Sequence, residues 1–510
     1  LKDMISAFTN ALKIPELKQR IFFTLMIIII VRVGAAIPLP GVDSTVLQSA
    51  LSQAAEAQKT GEEETGGGAI GALVNVFSGG GLKNCAIFAL GIMPYISASI
   101  MMQLLSAVHP KLQRISREDG GRAKINMYTR YVTIVLCIVQ GWMLARSLEN
   151  PANNIFLQDI ARYMQDTNAK LVPEFGTQFI LLTVLVITAG TMLMMWLGEQ
   201  VTERGIGNGI SLIISVNIVS ALPGALVQVW NTYISGALDG DVRKPMLLVG
   251  LIIVLFLVIA AVISITQALR KLTVQYAKRV VGRKVYGGQS SYLPLKVNYA
   301  GVMPIIFAQA IVLFPAQILS FIAPNSETIN NIAAQMTAGW IYYTLTGILI
   351  FFFSYFWVAT MFQPAQIADD LKKNGGYIPG HRPGKATADF LDFTMSRLTF
   401  AGATFLTVIA LLPALFARGL GISMNVAQFF GGTSLLILVG VLLDIMRQAE
   451  THLIQRHYDG FLRKGKIRGR TDRRVGGSGS GAETRLTLLW FMVAVLIVAG
   501  IVAYFVNKGS

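Results

Sequence analysis

"NVFSGGGLKNCAIFALGIMPYISASIMMQLLSAVHP", residues 75–110, joins two local tendencies that conflict. Four small residues, Ser78, Gly79, Gly80 and Gly81, interrupt an apolar run, and consecutive glycines oppose helix formation. The run then resumes through Pro94, Ser97 and Ser99. If it crosses a bilayer, the break needs shelter, because irregular backbone at membrane depth survives only where protein or water satisfies its polar groups.

Composition places the stretch in a membrane. Of 510 residues 53% are hydrophobic and only 14% charged, against about 25% charged in soluble domains. Apolar runs long enough to span about 30 Å of hydrocarbon are read at 21–39, 87–106, 129–147, 177–197, 209–229, 246–268, 300–321, 338–361, 397–416, 430–449 and 485–505. A further segment, 72–84, is half the required length.

Charge sets the orientation. Between these spans, the segments alternating with the N-terminus on one side carry 29 Lys and Arg, against 7 on the other side, with Lys83 of the half-length segment set aside. The acidic "GEEET" at 61–65 falls on the poorer side. The positive-inside rule therefore puts the N-terminus in the cytoplasm, and the net charge of +16 belongs to one face.

Cysteine and histidine point to no chemistry. Cys85 and Cys137 lie far apart in or beside apolar segments and read as small buried hydrophobes, with no disulfide expected. His452 and His457 stand five apart in a basic tail, poor spacing for two ligands on one helical face, so no metal site is expected. No cofactor or catalytic constellation is expected either. The first apolar run is a full span leading into "IPLPGVD", without the cleavage signature of a signal peptide. The Gly205, Gly207 and Gly209 spacing follows no strand and is given no phosphate role.

Three inner segments are long. Residues 270–298 carry the basic pairs Lys278–Arg279 and Arg283–Lys284 among β-branched and aromatic residues, a pattern that predicts a projecting hairpin. Residues 363–396 contain a helical start and then "YIPGHRPGK", a stiff turn presenting Arg382 and Lys385. The third, after Arg447, is a basic tail. Charge alone favours simple topological anchoring over a docking face for an anionic partner such as ribosomal RNA.

Ion-coupled carriers place ionisable residues at mid-membrane, and these spans hold almost none. Arg32 is near a span end and reads as snorkelling; Glu199, Glu203 and Arg204 read as fixing the turn after a helix. The spans hold instead small polar residues and helix breakers: Ser97, Ser99, Gln103, Asn217, Pro304, Gln309, Thr433 and Ser434. Singly, these fit close helix packing. Together with the break at 78–81 they fit a wide, weakly polar cavity with a segment able to close it.

At this point the residues carry a resemblance. "FSGGGLKNCAIFALGIMPYISASIMMQLL", "IPLPGVD", "WLGEQVTERGIGNGISLI", "YAKRVVGRKVYGGQSSYLPLKVNYAGVMPIIFA", "YIPGHRPGKAT" and "FGGTSLLILVG" resemble motifs of the SecY/Sec61-alpha family. The resemblance implies an all-α integral membrane protein: a ten-helix bundle of two inverted five-helix halves, 21–229 and 246–450, joined by an external loop at 230–245, with a re-entrant plug at 74–86. It also implies a protein-conducting channel rather than an enzyme, moving unfolded secretory chains across the bacterial cytoplasmic membrane and releasing apolar segments sideways into lipid. Ile92, Ile96, Ile214, Ile306 and Ile437 match the family's pore ring, where aliphatic side chains close on themselves when the channel is empty. Ser78, Gly79, Gly80 and Gly81 fall in the plug, and Gln103 and Gln309 on the two helices of the lateral gate. Lys278, Arg279, Arg283, Lys284 and Arg382 align with the docking surface for the ribosome and the SecA motor. His381 stands where the family's motif carries an aliphatic residue. The implied partners are SecE, SecG, SecA, the ribosome, signal peptides and nascent chains, and membrane lipids.

One feature departs from the family. After the N-terminal segment 1–20 and the two halves come a basic tail and "GGSGSG" linker at 451–484 and an eleventh span at 485–505, read as an anchor or accessory helix. The rival readings are a solute transporter, which lacks the mid-membrane charges it would need, and an insertase without a through-pore.

Overall fold

The computed structural model describes residues 15–60, 78–118, 120–149, 151, 157–167, 169–234, 243–276, 279–281, 284–286, 290–322, 335, 340–420, 427 and 432–463. It divides the chain into two compact units, Leu1–Leu453 and Ile454–Ser510; of the second, only 454–463, the end of a helix, are described. The linker, the expected eleventh span and the expected N-terminal segment up to residue 14 lie outside the described residues.

The helices are α1 (Pro15–Gly34), α2 (Ser44–Thr60), α3 (Met93–Val108), α4 (Pro110–Arg117), α5 (Gly121–Glu149), α6 (Gln158–Thr167), α7 (Thr177–Arg204) and α8 (Gly209–Val229). A π-helical turn, Trp230–Ile234, follows. Then come α9 (Arg243–Gln267), α10 (Met303–Ile322), α11 (Trp340–Met361), α12 (Pro364–Lys373), α13 (Lys385–Leu420) and α14 (Thr433–Arg463). Among the described residues, α5, α7, α8, α9, α11 and α13 are long and apolar enough to cross a membrane, and α3 and the first half of α10 are shorter apolar helices. The chain is a multi-pass membrane protein.

Several boundaries differ from the sequence reading, each for a local reason. The second span was expected from residue 87, but its helix starts at Met93. Pro94 sits in the first turn, where its missing N–H costs nothing and its fixed φ favours entry. The first helix ends at Gly34 rather than residue 39, because Ile37–Leu39 form an antiparallel bridge instead: Leu39 N–H donates to the Cys85 carbonyl (2.8 Å) and Ile87 N–H to that of Ile37 (3.0 Å). Helix α13 begins at Lys385, twelve residues before the span expected from 397, so much of the second inner loop is helical.

Caps follow the sequence closely. Asn208 opens α8 by accepting from the N–H groups of Ile210 (3.1 Å) and Ser211 (3.3 Å). Asp43 Oδ1 accepts from the Thr45 hydroxyl (2.6 Å) and N–H (2.9 Å) ahead of α2, and these bonds hold its carboxyl below the usual range. A carboxyl depressed in this way favours the folded cap above its unfolded pKa, a contribution lost as pH falls through the lower folded value.

Two groups of helices form the bundle. In the first, α5 packs on α3 and α7, and α1 and α8 pack on α7. In the second, α11 packs on α10 and α13. Helix α3 meets α10 across the junction. Small residues permit the close crossings: Gly141 of α5 faces Val184 and Ile187 of α7.

The first long inner loop is a hairpin, but its base is docked. Strands β1 (Leu269–Tyr276) and β4 (Ser290–Lys296) pair antiparallel, and β2 (Arg279–Val281) pairs with β3 (Lys284–Tyr286). The second loop adds β5 (Gly376–Tyr377) to the free edge of β1, giving the order β4-β1-β5. Leu272, Val274 and Leu295 are buried in one cluster with Val358, Phe362, Leu391 and Met395, drawn from α11, the turn after it and α13. Burying each leucine or valine stabilises the base by about 1.5–3 kcal/mol. From Lys271 onward β1 alternates: Leu272 and Val274 are buried against the helices while Lys271, Thr273 and Gln275 face water.

Candidate functional site

The five isoleucines singled out in the sequence lie together. Ile92 in the turn before α3, Ile96 on α3, Ile214 on α8, Ile306 on α10 and Ile437 on α14 belong to one apolar cluster, none more than 8% exposed. They come from four helices and the approach to one of them, drawn from both sides of the α3–α10 junction. Behind them, Phe307 meets Phe353 and Trp357 of α11 edge-on at 5.7 and 5.5 Å, fastening α10 to the second group of helices.

The two helices at the junction begin alike. "GIMPYI" opens α3 and "GVMPII" opens α10, with positive φ at Gly91 (56°) and Gly301 (65°). In both, a left-handed glycine turns the chain and Met-Pro starts the helix, so Ile96 and Ile306 occupy equivalent places in their first turns. This short repeat of Gly-x-Met-Pro-x-Ile can be read directly from the sequence.

Ser78 is helical, and the glycines that follow it are not. From Gly79 to Ile92 the segment is a series of turns, with positive φ at Gly79 (63°), Gly80 (85°), Gly91 and the non-glycine Cys85 (45°). Residues 74–77 of the expected plug lie outside the described residues. Ser78 is buried, its carbonyl accepting from Gly81 N–H (3.2 Å). A side chain at Gly81 would press on the Phe88 carbonyl (2.9 Å), and one at Gly190 of α7 on the Ile87 carbonyl (2.6 Å). The segment is thus threaded between α1 and α7 at near-contact distance.

Arg32, read from sequence as snorkelling, instead turns inward to this segment. Its Nη2 donates to the Gly79 carbonyl (2.8 Å) and its Nη1 to Asn217 Oδ1 on α8 (3.1 Å). Only the burial of Asn217 amid apolar neighbours, unusual for an amide, could have hinted at this.

Gln103 and Gln309 lie on the two helices that meet, without bonding to one another. Gln103 Nε2 donates to Ser99 Oγ on its own helix (3.1 Å), and Gln309 Nε2 to Thr433 Oγ1 of α14 (3.2 Å). The amide oxygen of each is buried without a hydrogen-bond partner.

Glu199 does not fix the turn after α7. It forms an ion pair with Arg130 of α5 (2.7 Å), tying two neighbouring helices. The turn is held by other groups: Arg20 donates to the Gly205 carbonyl (3.3 Å), Thr24 Oγ1 accepts from Ile206 N–H (3.3 Å), and Gln448 Oε1 of α14 accepts from Gly207 N–H (2.7 Å). Both members of the Arg130–Glu199 pair are partly exposed, so Glu199→Gln is expected to cost about 0.2–1 kcal/mol. Thermal unfolding in detergent at low and high salt checks this, the difference from wild type shrinking as salt rises.

Of the basic docking residues, Lys278 and Arg283 lie outside the described residues, while Arg279 and Lys284 stand in the paired strands β2 and β3. Arg382 and Lys385 are exposed at the turn after β5. His381 stacks its ring on Phe390 of α13, with ring centres 4.0 Å apart. Among the described residues, no three His, Cys, Asp or Glu gather in a way that could hold a metal ion.

Residues 86–446 match the SecY family model. The protein translocase subunit SecY of Thermotoga maritima is 43% identical over 468 residues, 92% of this chain and all of that protein. The chain belongs to the SecY family. The subunit of the same name from Streptomyces galbus is 42% identical over 465 residues, 90% of this chain and again all of the relative. Solved SecY-type structures share the fold. "The structure of a protein conducting channel" superposes with a TM-score of 0.56 at 17% identity, over 90% of this chain and 99% of that one. A structure described as showing that the SecY plug domain stabilises the closed state matches with a TM-score of 0.55 at 17% identity, with the same coverage of both chains. Sec61 in a canine ribosome-channel complex matches with a TM-score of 0.53 at 16% identity, over 90% of this chain and 99% of that one. The family match ends at 446, before the basic tail and the linker.

Proposed function

We infer that the chain is the protein-conducting subunit of a translocase, passing unfolded polypeptides across the cytoplasmic membrane and releasing apolar segments between α3 and α10 into lipid. The observation that carries this reading is the single buried cluster holding Ile92, Ile96, Ile214, Ile306 and Ile437. Aliphatic side chains at a constriction exclude ions and water by dewetting, yet yield around a passing chain because they offer no fixed polar site. The ten-helix layout in two inverted halves, with domain limits as read from the sequence, accommodates this cluster at its centre. Residues 74–86 serve as the plug above it, and the N-terminus lies in the cytoplasm.

The remaining roles are those that the family resemblance implies. Gln103 and Gln309 are the polar members of the lateral gate, and their unsatisfied amide oxygens make the closed contact less stable than an all-apolar one. The hairpin with Lys278, Arg279, Arg283 and Lys284, together with the Arg382 turn, forms the docking face for the ribosome and the SecA motor. Pairing of β5 with β1 joins the two loops into one platform. SecE and SecG complete the complex, and the span at 485–505 is an accessory anchor.

The test is a single cysteine at Ile306, with Cys85 and Cys137 replaced, crosslinked to a stalled secretory chain carrying its own cysteine. The expected result is a crosslink that depends on the stalled export substrate. Labelling confined to lipid-facing positions, with Ile306 silent, would instead favour an insertase or carrier.

A further inference from the structure

A cation within an apolar helix is costly unless its donors are used, and Arg32 uses its donors on neutral acceptors. Nη2 holds the Gly79 carbonyl at 2.8 Å and Nη1 holds Asn217 Oδ1 at 3.1 Å. Among the described residues no carboxylate forms an ion pair with it. The guanidinium thus bridges three parts of the chain: the outer end of α1, the middle of α8 and the first turn of the glycine-rich segment. Space enforces the arrangement. A Cβ on Gly79 would lie 2.5 Å from Asn217 Oδ1 and 2.8 Å from Arg32 Nη1, and the φ of +63° there is itself unfavourable for other residues. Asn217 lies within one helical turn of Ile214 and Ile218, both in the buried apolar cluster, so the same stretch of α8 serves the constriction and the bridge.

We propose that Arg32 and Asn217 are positioning residues that latch the Gly79 turn and so hold the adjoining plug segment in its closed place, a role that rests on the plug reading above. The choice of partners suits a latch. An ion pair broken in this setting would strand two charges, whereas a carbonyl and an amide oxygen can be released to other donors at smaller cost. Ser78 is the natural reporter, because it adjoins Gly79 and is buried at rest.

The experiment uses Ser78→Cys in a full-length channel lacking Cys85 and Cys137 and follows modification of the introduced thiol by a membrane-impermeant maleimide added from outside. In the otherwise native channel, a stalled export chain should expose this thiol and idle channels should protect it. With Arg32→Met or Asn217→Leu, idle channels should react at least tenfold faster, approaching the rate of the engaged channel. Arg32→Lys, which keeps the charge but loses the two-pronged geometry, should fall between. Export of a precursor with an intact signal sequence should persist, which separates release of a latch from loss of the fold. If the thiol becomes reactive on engagement but stays protected in both idle variants, the latch is wrong and the plug reading stands. If engagement itself leaves the thiol protected, the plug reading fails and the latch with it.

Discussion

An Ile437→Asn channel is expected to conduct ions while idle, whereas Ile437→Leu stays closed. Ile437 is fully buried in the central cluster, beside Leu435 and Leu436 and with Ile306 in the same group. An amide there has no partner among aliphatic neighbours, and leaving a buried polar group unsatisfied costs about 1–3 kcal/mol. The same group recovers that energy if water enters, so the substitution favours a wetted constriction by roughly tenfold or more, at about 1.4 kcal/mol per factor of ten. Leucine keeps the volume and the apolar surface, and such swaps usually cost less than about 1.5 kcal/mol. Ion flux from vesicles containing the purified channel reads the difference directly. Equal tightness of the two variants would place the seal elsewhere.

Gly209→Ala is expected to be strongly damaging. A Cβ there overlaps the Gly198 carbonyl oxygen and comes within 2.7 Å of Val201, so α7 and α8 would have to separate at their shared turn. The neighbouring bonds would separate with them: Gly209 N–H to Thr202 Oγ1 (2.9 Å) and Gly207 N–H to Gln448 Oε1 (2.7 Å). Overpacking commonly costs about 1–3 kcal/mol, and here the obstruction is backbone, which has no rotamer to change. The expected result is a clear fall in unfolding temperature and in the amount of intact protein recovered. Gly224→Ala, later in the same helix, meets nothing within 4 Å and should be neutral or more stable by up to about 1 kcal/mol, because alanine favours the helix. Similar losses for both would mean that α8 tolerates no change of helix propensity, and that the close approach at Gly209 is not the cause.

Much of this protein was legible before any coordinates. Span positions follow from runs of apolar residues, because the bilayer selects for length and hydrophobicity alone. The Asn208 cap and the alternation of β1 are local effects of neighbouring residues, and so is helix entry at Met93–Pro94, although the apolar run alone put that span's start at residue 87. The gathering of five distant isoleucines was anticipated only through resemblance to a family, since no spacing rule links residues 92, 214, 306 and 437.

What resisted reading was whatever depends on partners far along the chain. Arg32 looked like a snorkelling side chain because sequence cannot tell a helix end that faces water from one that faces Gly79 and Asn217. Glu199 looked like part of a turn, although its partner Arg130 lies 69 residues earlier on an adjacent helix. The inner hairpin looked free-standing until β5 and the buried Leu272, Val274 and Leu295 docked it against α11 and α13. The sequence by itself therefore determined the membrane setting, the rough limits of the apolar elements and the local caps, all of which depend on residues close together in the chain. Tertiary structure alone decided which polar groups meet, because hydrogen bonds and ion pairs reach only about 3 Å and depend on how separate helices are packed.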